Sequence, residues 1–416
     1  MAKNLCFLLV LFLIAGCSGG GSESPDSTAS QPATGPQAPP QASLLWRSAA
    51  GGLVRSQTDG TGQIVLDSQP VQRFPVIVSG STIVYNTGTW RDVWTVQTNG
   101  SGRQAVVSTE DDEILDAVVG GWAIYRRQAV EIGPTPLWSG ALDGRTSHVL
   151  ASSLSSAYER SLNGRVMWSE SNTENTTLSS IQPDGTDQRL LDEIPRGNHG
   201  VFTFLGTRGT VGNQVIYSVL DEQFVPDLFA VPVTGGTVVT LADSQDYEWL
   251  GAVVGNRVVY HRCPVQGATI LQCDISSVSS NGSGTVILSN HPENETVQGV
   301  IGSRVIVRRN SGATDTLYSI PAGGGAETPM LTIDAQTEFV VGIVKDRVIL
   351  RRPTGLWSLK ADGESLTQLT NQVDELAGSA GEFVCFARGQ ALWCVPADGS
   401  AEPTQVTDNG VFVEGL

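Results

Sequence analysis

The sequence predicts an all-β fold, a single β-propeller built from four-stranded blades. Three observations carry this prediction. A unit recurs about every 42 residues, each unit holds short β-branched and aromatic runs, and no helical period follows the first segment. A period near 42 with four strands per unit is that of a propeller blade. Many short strands with evenly spaced turn signals mean an all-β repeat architecture.

The repeat is anchored on an apolar residue, often followed by an aromatic, with Gly at the eighth place. It runs Leu53 to Gly60, Val93 to Gly100, Leu137 to Gly144, Leu178 to Gly185 and Leu228 to Gly235. It continues as Ile275 to Gly282, Leu317 to Gly324, Leu356 to Gly363 and Leu392 to Gly399. In seven copies Asp or Asn precedes the Gly. Such dipeptides between apolar runs are strong hairpin signals, because both residues tolerate positive φ. Before each anchor lies another strand, as in Ile83-Val84-Tyr85 and Val258-Val259-Tyr260, usually introduced by a Gly or Asn turn. After the Asp-Gly comes a further short strand, such as Ile64-Val65-Leu66 or Val286-Ile287-Leu288.

The two ends of the repeat region are unequal. Residues 44–66 supply only three strands, and Val411-Phe412-Val413 is a spare strand at the far end. Together they are expected to complete one blade and hide the edges that would otherwise template aggregation. Nine repeats result, eight full and one closed by the C-terminal strand.

Ahead of the repeats, Lys3 precedes an apolar run from Leu5 to Ala15 that ends in Ile14-Ala15-Gly16-Cys17. This is a secretory signal in pattern, and too short for a spanning helix, which needs about 20 apolar residues. The last four residues resemble a bacterial lipobox. That resemblance implies a signal peptide over 1–16, a lipid on Cys17 and, with Ser18 next, sorting to the outer membrane. Residues 17–43 then form a tether. From Ser18 to Ser43 they are Gly, Ser, Pro, Ala, Gln and Thr with a few acidic residues, and hold no aromatic, Lys or Arg. Such a composition cannot bury enough to fold.

The chain has 42 Asp plus Glu against 25 Lys plus Arg, a net charge of -17. A phosphate-binding surface is normally basic, so no nucleic-acid partner is expected. His148, His199, His261 and His291 fall in four different repeats without ligand spacing, so no His-based zinc site is expected. No Gly-x-Ser-x-Gly elbow occurs. The Gly-x-Gly runs beginning at Gly60, Gly100 and Gly282 precede strands rather than helices, which is the wrong setting for a nucleotide loop. No catalytic residues are assigned.

Beyond Cys6 and Cys17, four cysteines remain as two local pairs, Cys263 with Cys273 and Cys385 with Cys394. Four cysteines allow three connectivities. With Gly389-Gln390 as a two-residue turn, Cys385 lies opposite Cys394 at a non-hydrogen-bonded position. There Cα atoms stand about 4.5 Å apart, within disulfide reach. Cys263 and Cys273 would close the base of the corresponding loop in an earlier blade. Free thiols or a thiolate metal site are the alternatives.

Four glutamates share a place in the repeat. Glu113, Glu248, Glu295 and Glu338 each stand seven residues before the turn that joins the first strand to the second. Four residues after each comes Ala117, Ala252, Gly299 or Gly342. Even spacing puts Glu and small residue on one face of a strand, so the glutamates are expected to rim one mouth of the channel. Gathered carboxylates raise one another's pKa or recruit a cation, and oxygen ligands suit Ca²⁺. A cationic partner segment is the other ligand of that kind, and a solvated polar cap is the plainer reading. No further cofactor is expected.

The repeat resembles the TolB-type propeller repeats of periplasmic proteins and the propellers of the prolyl oligopeptidase class. The resemblance covers about residues 44–416 at the level of the repeat. Neither the extra α/β domain of TolB nor the hydrolase domain of the oligopeptidases has a counterpart here. It therefore implies the fold and not an activity. The expected function is a lipid-anchored binding or scaffold propeller of the cell envelope, without catalysis, whose partner is an envelope protein or glycan. The alternative is an envelope hydrolase or lyase acting on a polysaccharide or peptide through channel carboxylates.

Overall fold

Each Asp-Gly or Asn-Gly dipeptide makes the hairpin its residue types demand. The nine repeat glycines have φ between 70° and 91°, a region closed to most side chains. In the seven Asx turns the side-chain Oδ1 accepts the backbone N–H two residues on, at 2.8 to 3.1 Å. The anchor residue seven places back is 0% to 1% exposed in every repeat. One local signal thus fixes a turn and buries a core residue in the strand before it.

The computed structural model describes residues 41–87, 92–128, 135–152, 156–195, 204–266, 269–270 and 272–416. Among them lie nine antiparallel four-stranded sheets and no helix. Blades 1 to 8 occupy 71–107, 112–151, 156–195, 204–242, 247–289, 294–334, 339–370 and 375–407. Each runs in chain order from inner to outer strand. Blade 9 is shared as the sequence predicts. Its three outer strands are Ser43–Ser48, Leu53–Gln57 and Ile64–Asp67, and its inner strand is Gly410–Gly415 from the other end of the chain.

The blades pack face to face through apolar clusters that cross each seam. Val84 and Val93 of blade 1 meet Leu115 and Tyr125 of blade 2. Ile306 and Leu317 of blade 6 meet Val348 and Leu350 of blade 7. Buried tyrosines of the second strands add polar fastening: Tyr85 Oη donates to Asp67 of blade 9 at 2.9 Å, and Tyr217 Oη to Asp192 of blade 3 at 2.6 Å. A buried phenol needs such a partner.

Every inner strand carries a register shift against its neighbour. An extra residue there bends the strand and increases its twist. Small residues let the inner strands approach. A Cβ on Gly299 would stand 2.5 Å from Ile343, and one on Gly378 would stand 2.4 Å from Phe412.

Candidate functional site: the seam carboxylates

The four repeat glutamates open, or directly precede, the inner strands of blades 2, 5, 6 and 7. Across from each stands an arginine 14 residues later. Glu113 pairs in register with Arg127, Glu248 with Arg262 and Glu295 with Arg309. Glu338 forms an ion pair with Arg352. Three of these arginines lie over the aromatic that follows the repeat anchor: Arg127 over Trp138 at 4.4 Å, Arg309 over Tyr318 at 4.1 Å and Arg352 over Trp357 at 5.2 Å. A guanidinium over a ring face is a favourable cation–π contact. These arginines were missed as partners in the sequence, although the fixed spacing of 14 was there to be read.

The glutamates sit inside the seams. Glu113 and Glu295 are 0% exposed, Glu248 2% and Glu338 8%. The bulge explains why the even spacing misleads. Between Leu115 and Ala117 the register skips a residue, which moves Ala117 to the face opposite Glu113, since side chains alternate with period two. Leu115, on the face of Glu113, packs against blade 1, whereas Ala117 packs against Val166 and Trp168 of blade 3. The same skip falls before Ala252, Gly299 and Gly342. So the four pairs do not share a face as expected, and the carboxylates turn toward the preceding blade. Glu414 stands near the end of its inner strand, while Glu375 opens its own, so the two mark opposite ends of the ring.

Each carboxylate also holds the connector that brings the chain from the previous blade. Glu113 accepts from Thr109, Glu248 from Ser244 at 2.6 Å, Glu295 from Ser289, and Glu338 from the Asp334 backbone N–H at 3.0 Å. Burial raises the carboxyl pKa of Glu113, Glu248 and Glu295, against the lowering effect of these hydroxyls and of the arginines. Arg309 Nε lies 2.8 Å from Glu295, and Arg127 Nε 3.5 Å from Glu113. Arg262 is the exception: its Nε goes to Asp246 at 2.7 Å. Among the described residues, no group of three or more His, Cys, Asp or Glu is placed to hold a metal ion.

The remaining predicted residues are local. Cys385 and Cys394 are register partners joined by a disulfide, with Cα atoms 4.1 Å apart and Gly389 at φ 58°. Cys263 and Cys273 are also joined, closing the loop between the second and third strands of blade 5. His148 lies against Trp122, and His291 lies 3.3 Å from Glu293. His261 is buried, stacks on Trp249 at 4.8 Å and accepts the Val297 N–H of blade 6 through Nε2 at 3.1 Å. Burial holds its pKa down to about 4, so it is neutral at physiological pH. Cys17, His199 and the signal and tether segments up to residue 40 lie outside the described residues.

Nine such sheets, with the ring fastened between the two ends of the chain, define a nine-bladed β-propeller. No family model matches the sequence, and no curated protein does. Several solved structures are similar to it. A prolyl endopeptidase is 10% identical at TM-score 0.45, covering 73% of this chain and 50% of that one, so the chain spans half the length of that enzyme. The propeller domain of the trilobed protease from Pyrococcus furiosus is 10% identical at TM-score 0.42, with coverages of 81% and 97%. An oligogalacturonate lyase solved with manganese is 10% identical at TM-score 0.39, with coverages of 82% and 97%.

Proposed function

We propose that the chain is a non-catalytic binding propeller of the bacterial cell envelope, held to the outer membrane by a lipid on Cys17. The observation that carries this reading is where the chain enters the ring. Ala42 accepts the Thr58 N–H beside the Asp59-Gly60 turn, and it lies against Gly381 in a turn between first and second strands. The tether therefore reaches the propeller on the face of the Asp-Gly turns. The opposite face carries the connectors between blades, with exposed Glu110, Asp243, Asp374 and Glu375. From their composition, the 23 residues between Cys17 and Gln41 would have a mean reach of about 26 Å as a coil. That length leaves the connector face clear of the lipid surface. Its acidic residues suit a cationic segment of an envelope protein partner.

Crosslinking pull-down from intact cells tests the reading, since it reports partner and membrane side together. Cys17→Ala is expected to release the protein from the membrane fraction and to lose the crosslinks. Retention of that variant in the membrane would sink the lipid anchor. Crosslinks confined to the Asp-Gly face, or insensitive to added salt, would sink the acidic connector face as the binding surface.

A further inference from the structure

The seam between blades 4 and 5 buries two carboxylates, Asp227 and Glu248, with no cation at ion-pair distance from either. In three blades an aspartate precedes the repeat anchor, and a glutamate follows 21 residues later at the next inner strand. The pairs are Asp92 with Glu113, Asp227 with Glu248, and Asp274 with Glu295. In each pair the two charges are close enough to repel. At the first and third seams Arg127 and Arg309 stand beside the glutamate. In the middle seam the equivalent Arg262 is 45% exposed at its side chain and bonded to Asp246, so that it acts on Glu248 only at a distance, and Glu248 accepts from Ser244 alone. Asp227 is 6% exposed and Glu248 2%. Asp227 Oδ1 and Glu248 Oε2 are both buried without a hydrogen-bond partner.

An uncompensated buried charge is costly, and two like charges in one site cannot both ionise cheaply. We propose that Asp227 and Glu248 hold one proton between them in mildly acidic solution, and that its loss as the pH rises to neutral and just above loosens the seam between blades 4 and 5. The inference is independent of the lipid anchor. The surrounding charged groups are Asp221 and Asp243 from blade 4 and its connector, and Asp246, Tyr260 and Arg262 from the blade 5 side. From blade 3, Asp192 is occupied by Tyr217. Only Arg262 among these is cationic.

Burial, then Asp243, Glu248 and Asp221, push the Asp227 carboxyl up to about 7. A folded-state pKa above the unfolded value of about 3.9 means that the native state binds more protons in between. Stability therefore falls as pH rises from about 4 to about 7, and this contribution is flat above that.

The test is the thermal midpoint of the full chain against pH, beside Asp227→Asn and Glu248→Gln. Between about pH 5 and about pH 8 the unaltered chain is expected to lose a few degrees that either variant keeps, so that the variants melt higher at the alkaline end. Two variants are used because one of them can fail to fold for other reasons. Parallel pH profiles for all three chains overturn the proposal. The alkaline melts are repeated with millimolar Ca²⁺. A midpoint rise present in the unaltered chain and absent from both variants means that a metal, not a proton, neutralises the pair, and this also overturns it. Absence of such a rise supports the shared proton.

Discussion

Glu295 and Arg309 face each other across the first two strands of blade 6, with carboxylate and guanidinium 2.8 Å apart. The same guanidinium reaches Glu327 at 2.7 Å, donates to Ser289, and lies 4.1 Å above Tyr318. One arginine thus joins the inner strand, the third strand, the end of the outer strand of blade 5 and the turn after the third strand. Its partner carboxylate is wholly buried, so the pair is worth most as a matched unit.

Breaking that unit from one side should therefore be worse than removing it whole. Arg309→Met is expected to cost about 3 to 5 kcal/mol, because it strands a buried carboxylate. The double variant Arg309→Met with Glu295→Gln should recover part of the loss. Urea unfolding of the unaltered chain, both single variants and the double variant checks this, and a double variant as unstable as the sum of its parts would show that the residues are uncoupled.

The disulfides should appear as local links. Mass spectrometry of unreduced digests is expected to show Cys385 joined to Cys394 and Cys263 joined to Cys273. Replacing Cys385 and Cys394 together by Ser should cost about 3 kcal/mol, the chain-entropy value for a loop of about ten residues. A crossed pairing would contradict the hairpin register of blade 8.

Lys345 occupies a turn position filled by Gly in six of the other seven blades with that turn, and its φ is 53°. A side chain there carries the left-handed strain that glycine escapes. Lys345→Gly is expected to raise stability by about 0.5 kcal/mol. The exposed ion pair with Glu382 that it removes is worth little. A lower unfolding midpoint for the variant would mean that the ion pair outweighs the strain.

Closure of the ring depends on close approach at one glycine. A Cβ on Gly378 would stand 2.4 Å from the Phe412 ring on the C-terminal strand. Gly378→Ala should therefore cost about 1 to 3 kcal/mol by overpacking. Combining it with Phe412→Leu should return some of that, and hydrogen exchange along Gly410–Gly415 reports whether the closing strand is what loosens. Unchanged protection there would place the damage elsewhere.

The sequence alone determined the blade. The 42-residue period, the Asx-Gly turns and the alternating apolar runs are local signals, each fixed by backbone sterics or by burial of one strand face. They were enough to give nine repeats, the shared closing blade and the Cys385–Cys394 register. The placement of the glutamates was decided by tertiary structure. A one-residue bulge in the inner strand carries no residue signature, with Asp116, Gly251, Gln298 and Val341 taking the same place. Yet it reverses which face every later side chain occupies. Which arginine meets which carboxylate is likewise a cross-strand and cross-blade matter, and it is why Arg309 neutralises its seam while Arg262 turns away to Asp246. A repeat can specify each blade by itself, but the charge balance of a seam belongs to two blades at once.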